Sequence, residues 1–326
     1  MKRCVLTAPA KINLYLEILG DRPDGFHELA MVMQSVTLAD RIEISTQPGI
    51  AQFTQPIQIQ CSHSRVPNDE TNLAYRAAAL LRDRFPDRIE KLGAIEIAID
   101  KRLPVAAGLA GGSSNAAAVL IGLDLLAELG LTQGELSDLA AELGSDIPFC
   151  AIGGTALATG RGERVTPIEF PGPLWVVLAK YRSFGVSTPW AYKTFRSQFS
   201  DRYESDPVGL QQRRNRVHSG EMVGAIANGD GTAIGALLHN DLEKVVLPEH
   251  PAVAALRSTL AAGTDGNGAD VLGAMMSGSG PTVFALLATE VAASALRDRV
   301  ARTLDDPDLE LWVTQLAPDG IIVLDS

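Results

Sequence analysis

Apolar and polar positions alternate through much of the first third of the chain, and a period of two is the mark of half-buried strands. Val5-Leu6-Thr7 and Ile12-Asn13-Leu14-Tyr15-Leu16-Glu17-Ile18 read as strands, closed by the turn cluster Gly20-Asp21-Arg22-Pro23-Asp24-Gly25. Arg41 to Ser45, Ile57 to Gln60 and Ala94 to Ile99 repeat the alternation. One helix crosses this region, since Leu73, Ala77, Leu80 and Leu81 fall at helical spacing between Thr71 and Arg84, with Thr71 placed as its cap. From Ser113 the period changes. A long helix is predicted from Ala116 to Leu129 with Gly130 as its stop, and Thr132-Gln-Gly-Glu135 has the spacing of a capping box opening a further helix through Leu143 to Gly144.

After a β-like stretch from Gly153 to Val165, three prolines and a glycine crowd into Pro167 to Pro173, which places a domain boundary near residue 171. The expected units are 1–171 and 172–326. In the second, strands at Leu174 to Ala179, Thr282 to Leu287 and Glu310 to Gln315 alternate with helices, an α+β pattern. Ser200 to Gly220 is polar and reads as a mobile loop; Gly263 to Gly268 reads as a turn-rich connection.

A length of 326 residues at 46% hydrophobic and 21% charged suits two packed cores. The 28 basic and 39 acidic residues leave a formal charge of −11, which argues against nucleic acid or an anionic membrane surface as a partner. An anionic small substrate would need local features that overcome that field. Cys4, Cys61 and Cys150 are widely spaced, with neither a disulfide framework nor a zinc pattern, so a reducing compartment fits. His63, His218, His239 and His250 show no metal-binding spacing and read as structural or solvated. No apolar run approaches the roughly 18 residues of a membrane span, and Pro9, Lys11 and Asn13 interrupt any leader, so a cytoplasmic protein is expected.

The strongest chemical feature is Pro104-Val-Ala-Ala-Gly108-Leu-Ala-Gly111-Gly112-Ser113-Ser114-Asn115, which joins a strand ending near Lys101 to a helix starting at about Ser114. Small residues let backbone N–H groups approach a ligand, and a helix N-terminus adds unpaired donors and partial positive charge. Such a segment can cradle phosphate. It is neither a Walker loop nor a GxGxxG turn.

Pro104 to Ala118 resembles the central motif of the kinases that act on galactose, homoserine, mevalonate and phosphomevalonate. Pro9-Ala10-Lys11-Ile12-Asn13-Leu14 is similar to that family's first motif, and Met276-Ser277-Gly278-Ser279-Gly280-Pro281-Thr282 to its third. Arg22-Pro23-Asp24-Gly25-Phe26-His27, Asp100 to Pro104 and Gly144 to Pro148 look like the branch whose acceptor is 4-diphosphocytidyl-2-C-methyl-D-erythritol, in the non-mevalonate isoprenoid pathway. The sequence departs from common versions at Ala106, Ala107 and Ala110, where glycine is frequent, and at Phe26, where tyrosine is frequent. An alanine forced to positive φ would be strained.

The resemblance implies an ATP-dependent small-molecule kinase of two domains, α+β overall, with a ribosomal-S5-like N-terminal domain and a ferredoxin-like C-terminal domain. It implies Asp146 as the base for the acceptor hydroxyl and Lys11 beside it, stabilising charge at the reacting centre. On the residues alone, Asp146 is more often a helix cap or turn residue and Lys11 a solvated strand-end charge. ATP would be held by Pro104, Val105, Ala106, Ala107, Gly108, Leu109, Ala110, Gly111, Gly112, Ser113 and Ser114, with Asn72 and Lys101 near the adenine. Substrate would meet Asn13, Phe26, His27, Thr188 and Tyr192, the two aromatics flanking cytosine and His27 contacting its edge; core packing is the plainer role for Phe26 and Tyr192, and a satisfied structural hydrogen bond for His27. Mg2+ follows from ATP chemistry, with Ser113 or Ser114 near it. Asn240-Asp241-Leu242-Glu243 is similar to a helical, structural family segment. Competing readings are a sister kinase for another small alcohol, such as homoserine or mevalonate, and a silent nucleotide-binding protein on the same fold. Neither a monomer nor a homodimer is singled out.

Overall fold

The computed structural model describes residues 2–47, 56–204, 206–218, 220–264, 266, 268 and 270–326. Its elements run β1 Lys2–Asp21, β2 His27–Gln47, β3 Ile57–Cys61, α1 Leu73–Arg84, α2 Pro86–Ile89, β4 Ala94–Asp100, α3 Gly111–Ala127, α4 Gln133–Leu143, α5 Ile147–Ile152, β5 Thr155–Gly160, β6 Arg164–Pro167 and β7 Trp175–Tyr181. Then follow α6 Thr188–Phe199, α7 Pro207–His218, α8 Glu221–Ala227, α9 Gly231–Ala236, β8 His239–Asn240, α10 Glu243–Glu249, α11 Pro251–Ala261, β9 Gly273–Met276, β10 Val283–Leu287, α12 Glu290–Leu304, β11 Leu309–Gln315 and β12 Ile322–Asp325.

The alternation at the start of the chain belongs to one long strand. β1 is buried on both faces for most of its length, so only its ends and Tyr15 and Glu17 betray the period of two. It pairs antiparallel with β2, and the register slips between Pro9 and Lys11, between Asn13 and Tyr15, and between Ile18 and Gly20. Irregular pairing of this kind re-aims side chains, and here it flanks Lys11 and Asn13. The first sheet has the order β12-β1-β2-β4-β3, with β5 on β2, β6 on β5 and β8 parallel to β1. Leu6, Ile42, Ile44 and Ile97 from its strands pack with Val119, Leu120 and Leu123 of α3 in one buried core. The second sheet, β11-β7-β10-β9, is antiparallel throughout. Its order follows a split β-α-β unit, as in ferredoxin-like domains.

The architecture is α+β. The crowded prolines fall in the connection from β6 to β7, while β8 and β12 return to the first sheet from beyond it.

Three local predictions are corrected. Asn72, not Thr71, caps α1: its Oδ1 accepts from the Ala74 amide at 2.9 Å, while Thr71 is turned to Asp69. α3 starts at Gly111 and ends at Ala127, because Glu128 already takes the left-handed conformation, φ 53°, ahead of Gly130. The polar stretch after Ser200 contains α7; Arg213 and Arg214 anchor it to Glu17 and Glu28, partners that lie far away in sequence. The capping box at Thr132 forms with both of its bonds.

Candidate active site

A cavity of about 830 Å³ opens between the first sheet, the N-terminus of α3 and the start of α6. One wall is the loop from Pro104 to Gly112. Ala106 and Ala110 both sit at positive φ, 53° and 54°, and Gly108 at 73°, so two of the three alanine substitutions fall where an L side chain is strained. Ala107 does not. Gly108 is required for a second reason: a Cβ there would stand 2.5 Å from the Ser277 carbonyl oxygen. The turn after β9 thus closes directly on the loop, with Ser277 Oγ donating to the Gly108 carbonyl at 3.3 Å. Asn240 holds that turn, donating to the Met276 and Gly278 carbonyls at 2.8 Å each, so its segment is structural although Asn240 lies on β8.

Ala110 precedes α3 without a capping side chain, which leaves the first-turn amides to a ligand. Lys101 reaches this same terminus. A Cβ on Gly111 would lie 2.9 Å from Lys101 Nζ, so glycine makes room for the ammonium. Lys101 is paired with the fully buried Asp40, whose carboxylate also accepts from the Arg102 amide at 2.7 Å, the Leu103 amide at 2.8 Å and Asn115 Nδ2 at 2.8 Å. One carboxylate therefore ties the loop entry, the lysine and the helix together.

Beyond the loop, Lys11 Nζ lies 3.6 Å from Asp146 Oδ2 and donates to Asn13 Oδ1 at 2.7 Å. Asp146 is a turn residue at the cap position of α5, as its sequence setting suggests, but its side chain makes no capping bond. Lys11 is buried within a sheet rather than solvated.

At the far end Phe26 is 48% exposed and Arg161 lies over its ring, 5.2 Å from the centroid. His27 is buried, packed against Tyr192 at 5.1 Å and against the edge of Tyr203 at 6.0 Å. Its Nε2 has no hydrogen-bond partner, the nearest carboxylate being Asp21 at 3.7 Å. Burial, followed by the nearby Arg196, holds the imidazole below its ordinary pKa, against an opposing pull from Asp21. Burial, with Asp146 nearby, raises the Tyr192 phenol. Thr188 Oγ1 is 2.7 Å from Ser279 Oγ, linking α6 to the turn after β9.

The cavity gathers Lys11, Asn13, Phe26, His27, Asn72, Lys101, Pro104 to Ser113, Asp146, Thr188 and Tyr192. Ser114 is the exception: it is fully buried, with its hydroxyl unpartnered, and does not face the cavity. Asn72 faces it with both polar atoms engaged, one in the helix cap and the other on the Pro67 carbonyl. Sequence reasoning missed Asp40, Arg161, Lys193 and Arg196. Among the charged lining residues five are cations, Lys11, Lys101, Arg161, Lys193 and Arg196, against the single carboxylate of Asp146. The cavity is therefore positive in a chain of net charge −11. Among the described residues no cluster of three or more metal-ligating side chains occurs, and no helix is long and apolar enough to cross a membrane. The side chain of His218 lies outside the described residues.

Residues 72–154 match the family described as GHMP kinases N terminal domain, and residues 222–306 match GHMP kinases C terminal. The 4-diphosphocytidyl-2-C-methyl-D-erythritol kinase of Gloeothece citriformis is 56% identical over 323 residues, 99% of each chain. The protein of the same name from Nostoc punctiforme is 53% identical over 326 residues, covering both chains fully. Among solved structures, a 4-(cytidine 5'-diphospho)-2C-methyl-D-erythritol kinase is similar at 29% identity and TM-score 0.70, covering 96% of this chain and 99% of that one. A homoserine kinase from Cytophaga hutchinsonii shares the fold at 19% identity and TM-score 0.71, over 99% and 98% of the two chains. With both of its domains matched and relatives alike from end to end, the chain belongs to the GHMP kinase family.

Proposed function

We propose that this protein transfers the γ-phosphoryl group of ATP to the 2-hydroxyl of 4-diphosphocytidyl-2-C-methyl-D-erythritol, in the non-mevalonate isoprenoid pathway. The observation that carries the reading is the Lys11–Asp146 pair, 3.6 Å apart, which lines the same cavity as an uncapped helix N-terminus and the Phe26-His27 corner. Phosphate belongs at the first end and a flat base at the second. The acceptor hydroxyl would lie between them.

In this reading Asp146 takes the proton of the hydroxyl as its oxygen bonds to the γ-phosphorus, the bond to the β-phosphate oxygen breaks, and ADP leaves. Positioned general bases are typically worth about 10²–10⁴-fold. Lys11, oriented by Asn13, places its charge where the transferred oxygens gather. Pro104 to Ser113 cradle the phosphates, Lys101 sits over the helix terminus, and Asn72 shapes the adenine side through the Pro67 carbonyl it holds. Thr188 and Asn13 are polar contacts to the diphosphate and methylerythritol portions, and Phe26, His27 and Tyr192 read the cytosine.

A magnesium ion fits the donor set, because magnesium on nucleotides is held largely by phosphates and water and needs few protein ligands. Ser113, which unlike Ser114 faces the cavity, would hold it, and the ion would supply charge neutralisation on the triphosphate. Three free, buried thiols support a cytoplasmic setting. The chain is further proposed to divide near residue 171 into an ATP-binding and a substrate-binding unit.

The test is coupled ADP release with ATP, magnesium and a panel of alcohols including the cytidylyl substrate, homoserine and mevalonate. Turnover confined to the cytidylyl compound is expected. Turnover with another alcohol alone would move the protein to a sister activity, and none with any alcohol would make it a silent nucleotide binder.

A further inference from the structure

Glu28 follows the Phe26-His27 pair, and its side chain is 5% exposed. Its carboxylate takes Arg22 Nη1 at 2.9 Å, Arg214 Nη2 at 2.5 Å and the Gly160 amide at 3.2 Å. Two of these partners, Arg22 and Gly160, lead to different parts of the base end of the cavity.

Arg22 opens the turn that carries Phe26. Its amide donates to the Phe26 carbonyl at 2.9 Å, and its guanidinium also grips Asp24, whose Oδ1 accepts from the Phe26 amide at 3.2 Å. The ion pair with Glu28 therefore braces the turn across its mouth. Gly160 precedes Arg161, the residue whose guanidinium lies over the Phe26 ring. Arg214 comes from α7, no described side chain of which faces the cavity. That helix does not cover the site; it supplies a second cation behind it.

Resting on the proposed acceptor, we infer that Glu28 is a positioning residue for recognition of the base: it locks the turn bearing Phe26 and the corner bearing Arg161 into one preformed surface, with Arg214 completing the charge. A carboxylate between two guanidinium groups is rigid when complete, and removing one member leaves a buried charge uncompensated. Preformed walls strengthen binding by lowering the ordering cost on association. The ATP end, held by Asp40 and the turn after β9, shares none of these bonds. Loss of the brace should therefore weaken one ligand and spare the other.

The experiment measures binding of cytidine 5'-diphosphate and of a non-hydrolysable ATP analogue by calorimetry, with KM for each substrate, in wild type, Glu28→Gln, Glu28→Asp and Arg214→Met. Glu28→Gln is expected to weaken the cytidine ligand at least tenfold and raise the acceptor KM alike, with the ATP analogue and kcat within threefold; Glu28→Asp should recover part of the loss. Arg214→Met, which leaves the turn untouched, should shift the cytidine ligand several-fold in the same direction, and it decides the matter if Glu28→Gln does not fold. Wild-type affinity for the cytidine ligand in both Glu28→Gln and Arg214→Met, or equal weakening of both ligands, would overturn the inference. Failure of the wild type to bind the cytidine ligand would overturn the acceptor assignment itself, and the inference with it.

Discussion

Replacing Asp146 by asparagine separates chemistry from architecture, because the structure assigns this side chain little structural work. It sits at the cap position of α5 without a capping bond, and its side chain is 34% exposed. Its contact with Lys11 is an ion pair at 3.6 Å in which the lysine is buried, so it is worth more than the roughly 1 kcal/mol of an exposed pair. Asparagine keeps the shape, and Lys11 keeps its hydrogen bond to Asn13 at 2.7 Å. The fold should therefore lose on the order of 1–3 kcal/mol, the cost of leaving a buried partner without its charge, and stay folded. Turnover should fall by about 10²–10⁴-fold, equivalent to roughly 3–5 kcal/mol of barrier, since an amide cannot accept the hydroxyl proton as a carboxylate does. Coupled ADP release gives kcat, and calorimetry with a non-hydrolysable ATP analogue gives nucleotide affinity, which should hold within a few-fold. Near-normal kcat with the variant would refute the base assignment. A variant that unfolds or loses the nucleotide would instead show that the carboxylate is structural.

Ala110→Gly should stabilise the protein. The left-handed backbone at φ 54° costs alanine about 1–2 kcal/mol, and glycine returns about 0.5–1 kcal/mol of that as chain entropy, leaving a gain of up to about 1.5 kcal/mol, seen as a higher melting temperature. Gly108→Ala should do the reverse and raise the ATP KM at least tenfold, since its Cβ would stand 2.5 Å from a backbone oxygen at positive φ; wild-type kinetics would show that the loop and the turn after β9 do not depend on each other. For His27, burial disfavours the imidazolium, so the folded-state pKa lies below the unfolded value of about 6.5. The contribution of the neutral ring to stability is complete above that value and is lost as pH falls towards the folded pKa. The acceptor KM should accordingly stay flat down to about pH 6.5 and rise only below it, a limb absent from His27→Ala.

How much of this was legible in the sequence depends on the range of the interactions. The capping box at Thr132 and the strands β3 and β4 follow from neighbours within a few residues, and they appear where patterning places them. β1 was read as two pieces because burial on both faces erases the alternation that marks a strand. α7 was read as a loop because its anchors, Glu17 and Glu28, lie nearly two hundred residues away. The same distinction divides the site. The segment from Pro104 to Ser113, together with Lys11 and Asp146, could be found because each lies in a compact motif. Asp40 could not, since its partners, Lys101 to Leu103 and Asn115, meet only after the strands have paired.

Charge carries the argument furthest. Net charge is a sum over the surface, whereas a ligand feels the groups that face it, and five cations against one carboxylate face this cavity. Two of the five are already balanced in place, Lys101 by Asp40 and Arg196 by Asp21. Neither carboxylate is among the lining residues, Asp40 being fully buried, so they fix the cations from outside the cavity. Acidic residues that lower the global charge therefore serve an anion site by orienting the bases that meet the anion. For that reason a charge of −11 argues against an extended polyanion as partner and is compatible with the two small phosphate-bearing ligands proposed for one cleft.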